Sequence, residues 1–276
     1  MSNQNRRNFI DNLLMNKNMK YIKLSEYKPP KYFIPEIKLD FSILDDEVIV
    51  ISEYQLIKND TKSDSISLKG TNIYIDNIYL NSILLEKDNY CLTESELKIK
   101  NIHSKKNTLI IKARIRPRDN TSLLGMYESN QIITTQCEAE GFRRICFHPD
   151  RPDVLSKYTV RIEADKSKYP VLLSNGDLIS NKKLNFNKHE VIWKDPFPKP
   201  SYLFALVAGN LKCINDFYIT RSNKKVNIQL FVERGDEKYV SHAMNSLKRA
   251  MNWDEEKYNL EYDLSSYNIV AIRHFN

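Results

Sequence analysis

A two-residue alternation of apolar and polar side chains is the feature of this 276-residue sequence that most limits how it can fold. Every second residue is apolar from Ile37 to Ile43 and again from Leu109 to Ile115. Because successive side chains of a strand point to opposite faces of a sheet, this pattern predicts half-buried β-strands. Further strand-like runs lie at 48–57, 65–68, 72–78, 97–99, 132–135, 158–162, 171–173, 190–194 and 202–208. Many short strands of this kind predict a mainly β fold with an antiparallel sandwich or saddle.

Three stretches between these runs are predicted to connect strands. Residues 123–130 are expected to form a loop. Asn175-Gly176 is typical of a tight hairpin turn. The segment 195–200 contains three prolines, which cannot donate to a sheet ladder, so it is expected to lie outside the sheets.

The sequence changes character near Gly209. Two strand-like runs, 217–222 and 226–233, precede a helical apolar stripe, and a last strand is predicted at 267–272. The stripe consists of Val240, Ala243, Met244, Leu247, Ala250 and Met251. This spacing predicts an amphipathic helix of about 20 residues. We therefore divide the chain into a polar N-terminal arm (1–22), a β-domain (23–210) and an incomplete α/β segment (211–276).

Composition excludes several classes of protein. A content of 41% hydrophobic and 28% charged residues is typical of a globular chain. The formal charge of +7 does not predict nucleic-acid binding, because the lysines are scattered and form no basic helix. There is no apolar run of membrane-spanning length, so no membrane association is expected. The four cysteines show no CxxC spacing and are interpreted as reduced thiols of a cytoplasmic protein.

The strand run at 132–135 leads into a dense group of charges. Glu138 and Glu140 follow the run directly, and Arg143 and Arg144 come shortly after. One interpretation is a carboxylate held in place to meet a cationic ligand. The other is a structural network of ion pairs at a strand end, which residue types alone favour because such networks are common.

This region resembles the aminopeptidase N family of zinc exopeptidases, with the bacterial alanyl aminopeptidases as its nearest likeness. The matching motifs are Thr135-Gln-Cys-Glu138, Arg143-Arg144 with Phe147 and Asp150-x-Pro152, Tyr169–Gly176, Asp195–Gly209, Trp253–Tyr258, and Glu261–Leu264 with Ile269-Val-Ala271. The resemblance is dense from Gln131 onward and rests on the strand pattern alone before it. One departure is Arg273-His274, where the family usually has an acidic residue.

The resemblance implies roles for two residues of this chain. Glu138 is expected to bind the free α-ammonium of a peptide substrate, and Gln136 is expected to line the pocket for its first side chain. An ammonium group in a closed pocket needs anionic acceptors, and recognition of the free amine confines cleavage to the N-terminal residue.

The resemblance also implies chemistry for which this sequence has no residues. The family's H-E-x-x-H helix binds zinc and activates its water, and its G-A-M-E-N segment supplies a second amine-binding carboxylate. Neither motif occurs in the 276 residues. We therefore predict no catalytic residue and no metal site in this chain, with zinc a cofactor of the intact family only.

Two partial metal motifs are interpreted as buried strand residues. His189-Glu-Val-Ile-Trp193 begins like the zinc motif but has tryptophan at its fifth position, and Cys146-Phe-His148 has no third ligand at a sensible spacing.

Three hypotheses about function remain open. The chain is a truncated aminopeptidase N-like protein that is inactive alone, a non-catalytic peptide- or protein-binding module, or one half of a split enzyme with a complementary catalytic chain. In all three the segment 211–276 begins a thermolysin-like α/β catalytic domain. Its helical stripe is expected to lack a partner and to leave the segment loose.

Overall fold

The computed structural model describes residues 23–273 and residue 275. It has two compact units, residues 1–30 and 31–276. The described part of the first unit contains a short 3₁₀ helix, Leu24–Glu26. The predicted polar arm and His274 lie outside the described residues.

Eighteen strands and one α-helix form the described part of the second unit. The strands are β1 Tyr32–Ile43, β2 Val48–Lys58, β3 Ile66–Lys69, β4 Tyr74–Leu80, β5 Ile83–Leu84, β6 Tyr90–Leu92, β7 Glu96–Ile99, β8 Lys106–Ile115, β9 Gly125–Ser129, β10 Ile132–Gln136, β11 Ser156–Asp165, β12 Val171–Ser174, β13 Asp177–Lys183, β14 Lys188–Lys199, β15 Leu206–Gly209, β16 Lys212–Ile219, β17 Lys225–Val232 and β18 Ser266–Ala271. The α-helix, α1, is Val240–Tyr258, and short 3₁₀ helices lie at Lys87–Asn89, Pro117–Asp119, Phe142–Arg144, Ser201–Leu203 and Glu237–Tyr239.

These strands form four sheets. The largest has the order β13-β14-β11-β1-β2-β8-β4-β5, a second has the order β12-β15-β10-β9, and two three-stranded sheets are β3-β7-β6 and β16-β17-β18. Strand pairs are antiparallel except β1 with β11 and β17 with β18, which are parallel. The predicted mainly β, antiparallel fold is confirmed.

The main core combines buried residues of the eight-stranded sheet, the four-stranded sheet and the sheet β3-β7-β6, and it confirms the alternation in the sequence. In β1 the odd-numbered residues Ile37, Leu39, Phe41 and Ile43 are buried, while the residues between them are partly or fully exposed. The buried face of β8 follows the same rule. Burial of one side chain in two along paired strands is what fixes their register.

A second core fills the segment 211–276. Val226, Ile228, Leu230 and Val232 of β17 are buried against α1, which contributes Val240, Met244 and Met251. The expectation that the helical stripe lacks a partner is therefore wrong, because the three-stranded sheet of the same segment covers it. Ala250 is the one stripe residue that stays exposed. The predicted domain division near residue 210 stays a prediction.

Three local predictions are corrected by the structure. The expected loop at 123–130 contains strand β9, which pairs with β10 along its whole length. The segment 195–200 is predicted to lie outside the sheets, but β14 continues through it as far as Lys199. Its pairing with β13 stops at Lys194, and its pairing with β11 continues with a register shift. The run 202–208 is a strand only from Leu206, since Ser201–Leu203 forms a 3₁₀ helix.

Among the described residues, no helix combines the length and the apolar composition needed to cross a membrane.

Candidate functional site

The candidate site begins where strand β10 ends. Gln136 closes the ladder of β10 by pairing with Gly125 of β9, and the chain then turns sharply through residues 137–141. The N–H of Gly141 donates to the carbonyl oxygen of Cys137 at 2.8 Å. A Cβ at Gly141 would lie 2.2 Å from the Gln136 carbonyl oxygen, so the close return of the chain requires glycine here. The Glu138–Ala139 peptide bond within this turn is cis.

Arg143 and Asp150 fix the base of the turn. Arg143 Nε donates to Asp150 Oδ2 at 2.7 Å, and the Arg143 backbone N–H donates to the same oxygen at 3.3 Å. Ser201 Oγ donates to Asp150 Oδ1 at 2.8 Å. The Asp150 side chain is only 1% exposed, so its charge is held in a dry site by a guanidinium and a hydroxyl group.

Glu140 extends this network toward solvent. Its carboxylate lies 3.1 Å from Arg143 Nη1, and its side chain is 68% exposed. The structural interpretation of the charge group is therefore correct for Glu140, Arg143 and Asp150. Arg143 is occupied by two carboxylates and is not a free cation in the site.

Glu138 differs from its neighbours. Its side chain is exposed, and no Lys, Arg or His of the described residues lies within ion-pairing distance of its carboxylate. Gln136 is half-buried, and its Nε2 donates to the Glu138 backbone carbonyl at 3.3 Å. The two residues predicted to bind substrate thus lie at the same strand end, and the exposed Glu138 carboxylate has no cationic partner in the described part of the chain.

A buried histidine supports the far side of the turn. The Asp150 backbone N–H donates to His148 Nδ1 at 2.9 Å, which places the ring proton on Nε2. Nε2 is buried and has no hydrogen-bond partner within the described part of the chain. Burial lowers the pKa of His148 to about 4, although the Asp150 carboxylate acts in the opposite direction. This contact is local, since Asp150 lies only two residues after His148.

The partial metal motifs lie in core positions, but the prediction of strand residues is wrong for Cys146 and His148, which lie between β10 and β11. Cys146 is buried, and burial raises the pKa of its thiol to about 12. His189 is buried in β14, with Nε2 2.7 Å from the Tyr169 carbonyl oxygen. Within residues 23–273 and 275, no three His, Cys, Asp or Glu side chains are grouped so as to hold a metal ion. The residues present do not fit the family's zinc.

The comparisons of sequence agree with one another. The Peptidase M1 N-terminal domain family matches residues 28–203. Aminopeptidase N of Haemophilus influenzae is 44% identical over 256 residues, which are 91% of this chain and 29% of that protein. Aminopeptidase N of Escherichia coli is 41% identical over 251 residues, 91% of this chain and 28% of that protein. The chain thus spans less than a third of the length of these relatives.

Solved structures share the fold. Legionella pneumophila aminopeptidase A in complex with aspartic acid superposes with a TM-score of 0.86 at 37% identity, covering 90% of this chain and 30% of that one. A Deinococcus radiodurans M1 zinc metallopeptidase bound to a Tyr-Ser-Ala substrate superposes with a TM-score of 0.72 at 12% identity, covering 87% of this chain and 56% of that one. At that low identity the second likeness concerns the fold alone.

The resemblance that the motifs between Gln131 and Ala271 suggested is confirmed by these matches. The chain belongs to the Peptidase M1 N-terminal domain family and corresponds to the N-terminal portion of a bacterial aminopeptidase N.

Proposed function

We propose that this chain forms the wall of an aminopeptidase site that binds the free amine of a peptide, with Glu138 as the ammonium acceptor and Gln136 beside the first side chain. The observation that supports this proposal is the exposed Glu138 carboxylate, which lacks a cation among the described residues. Its neighbours Glu140 and Asp150 are both paired with Arg143.

The chemistry of the two residues suits an N-terminal amine. A carboxylate accepts charge-assisted hydrogen bonds from an ammonium group, and such bonds are about twice as strong as neutral ones. The Gln136 amide offers one acceptor and two donors to groups next to the amine. Because the Arg143 guanidinium is held by the buried Asp150 carboxylate, Arg143 does not compete with the substrate for Glu138.

Hydrolysis needs a metal site in addition to this binding surface. The Deinococcus relative is a zinc metallopeptidase, but the described residues of this chain show no arrangement that holds zinc. In our proposal a complementary catalytic chain or segment supplies the metal site, and the 276 residues alone are inactive. We also propose a cytoplasmic location, which the four free cysteines support.

The first test is direct assay of the purified 276-residue chain. We expect no release of chromophore from an alanyl chromogenic substrate, with or without added zinc, because the sequence has no H-E-x-x-H motif to activate water. The intact Escherichia coli aminopeptidase N is the positive control. Zinc-dependent turnover by the pure chain at the rate of that control would refute the inactivity.

The second test restores a catalytic part. Residues 1–276 replace the matching segment of Haemophilus influenzae aminopeptidase N, and the chimera is assayed with the same substrate. We expect activity, and Glu138→Ala should lower kcat/KM by about one to two decades, since a hydrogen bond to a charged group contributes roughly 1.5–3 kcal/mol. Glu140→Gln is the matched control, because its carboxylate is committed to Arg143.

The outcomes separate the hypotheses. A chimera that is active and indifferent to Glu138→Ala would remove Glu138 from the site. A folded chimera without activity would contradict the proposal that this chain forms part of an aminopeptidase site. It would leave the non-catalytic binding module as the function to pursue.

A further inference from the structure

One carboxylate connects the three-stranded sheet β16-β17-β18 to the hairpin that carries the candidate site. Glu233 follows β17 directly and is only 7% exposed. Its Oε2 accepts from Asn130 Nδ2 at 2.6 Å, and its Oε1 accepts from the Arg273 backbone N–H at 2.9 Å. Asn130 lies in the turn between β9 and β10, and Arg273 lies just beyond β18. Three segments that are distant in sequence thus meet at one side chain.

Two further contacts strengthen the same junction. Ser129 Oγ donates to the Arg273 carbonyl oxygen at 2.8 Å. The Arg273 guanidinium forms an ion pair with Asp236, with Nη2 2.9 Å from Oδ1. The basic residue at position 273, which departs from the family pattern, therefore has an acidic partner in this chain.

The two hydrogen bonds at Glu233 depend on a polar side chain. Both of its partners are N–H donors, so the side chain accepts from both at once. A leucine of similar size offers no acceptor, and a glutamine keeps both bonds only if the Asn130 amide turns to present its oxygen. A buried donor left without an acceptor is costly, so the junction tolerates no such mismatch.

We infer that Glu233 is a positioning residue that fixes the three-stranded sheet and α1 against the β9–β10 hairpin. The hairpin's turn is held at Asn130, and its other end carries Gln136 and then Glu138. The consequence for substrate binding rests on the proposed function. The mechanical role of Glu233 does not, and the experiment tests that role alone.

The experiment uses a reciprocal exchange of donor and acceptor. Glu233→Leu leaves both donors without an acceptor, and Asn130→Asp places two carboxylates in contact. The double variant Glu233→Gln/Asn130→Asp restores both hydrogen bonds, because the amide at position 233 would donate to the new carboxylate at position 130 and still accept from the Arg273 N–H. Glu128→Gln is the matched control, since Glu128 lies on the same hairpin but pairs with Arg118 at 2.7 Å.

The measurement uses the two native exposed thiols. Cys91 lies on β6 and Cys213 on β16, while Cys137 and Cys146 are buried. Spin labels on Cys91 and Cys213 report the placement of the sheet β16-β17-β18 relative to the sheet β3-β7-β6 by electron–electron double resonance. We expect one narrow distance distribution for the native chain and the Glu128→Gln control, a broader one for each single variant, and a narrow one again for the double variant.

Hydrogen exchange of residues 129–136 provides the second readout. We expect exchange about tenfold faster in each single variant and a return to the native rate in the double variant. A single variant that matches the native chain in both measurements would overturn the inference. A folded double variant would also overturn it if its distance distribution stayed as broad, and its exchange of residues 129–136 as fast, as in the single variants. This second outcome remains informative if a single variant fails to fold.

Discussion

The buried Asp150 allows a sharp test of how burial sets the strength of an ion pair. Asp150 and Glu140 both bind the Arg143 guanidinium, but their side chains are 1% and 68% exposed. The substitutions Asp150→Asn and Glu140→Gln make the same chemical change at either end of this exposure scale. The pair forms an internal control, because the shared partner is the same side chain.

The expected magnitudes differ several-fold. Asp150→Asn leaves the guanidinium, only 22% exposed, without its buried counter-charge. We expect a loss of about 3 kcal/mol in the free energy of unfolding, the lower end of the range for broken buried pairs. Glu140→Gln should cost below about 1 kcal/mol, as for exposed pairs.

Urea unfolding followed by tryptophan fluorescence measures both values. The chain has two tryptophans, and Trp253→Phe leaves the buried Trp193 as the reporter of the main core. With a urea m-value of roughly 1–3 kcal/mol/M, Asp150→Asn should lower the midpoint by about 1 M or more. Equal midpoints for Asp150→Asn and Glu140→Gln would show that burial does not decide the contribution, and would refute the reasoning.

Two further predictions concern the second core and the buried histidine. Met251→Ala removes a side chain that is 7% exposed between α1 and the three-stranded sheet, and should destabilise by about 2–5 kcal/mol. Asn252→Ala, on the exposed side of the helix, should cost under about 0.5 kcal/mol, and equal effects in urea unfolding would contradict the packing. Burial lowers the pKa of His148 from 6.5 to about 4, so the unfolded chain binds this proton more readily than the folded chain does. The resulting stability is present above pH 6.5 and is lost as the pH falls to about 4, amounting to about 3 kcal/mol. His148→Asn should remove that part of the pH dependence, and an unchanged slope between pH 6.5 and 4 would count against it.

The sequence predicts those parts of the fold that local pattern determines. The alternation in β1 and β8 places their buried faces correctly because a strand's two faces follow from the chain itself. Strand β9 has no such signal, because its residues, Gly125–Ser129, are buried almost without alternation. The parallel pairing of β1 with β11 also has no local signal, since the two strands lie more than a hundred residues apart.

The helical stripe shows how a correct local pattern can lead to a wrong conclusion about partners. The period of Val240, Met244 and Met251 identifies α1, but the pattern cannot say what covers it. The cover comes from β17, whose own alternation at 226–232 is equally visible in the sequence. Two amphipathic elements that follow each other closely bury each other first, and a more distant partner is needed only for the surface that they leave exposed.

In the candidate site too, some features follow from the local sequence and others only from contacts that the fold creates. Residue types could not separate a binding carboxylate from a structural one at positions 138 and 140. The structure pairs Glu140 with Arg143, whose other partner, Asp150, is held by Ser201 from 51 residues further along the chain, and no local spacing predicts that contact. Glu138 has no cation within ion-pairing distance among the described residues. In our proposal a change at Asp150 that frees Arg143 would let the guanidinium compete for Glu138, and it is expected to reduce the affinity of the Glu138 carboxylate for an amine in the chimera.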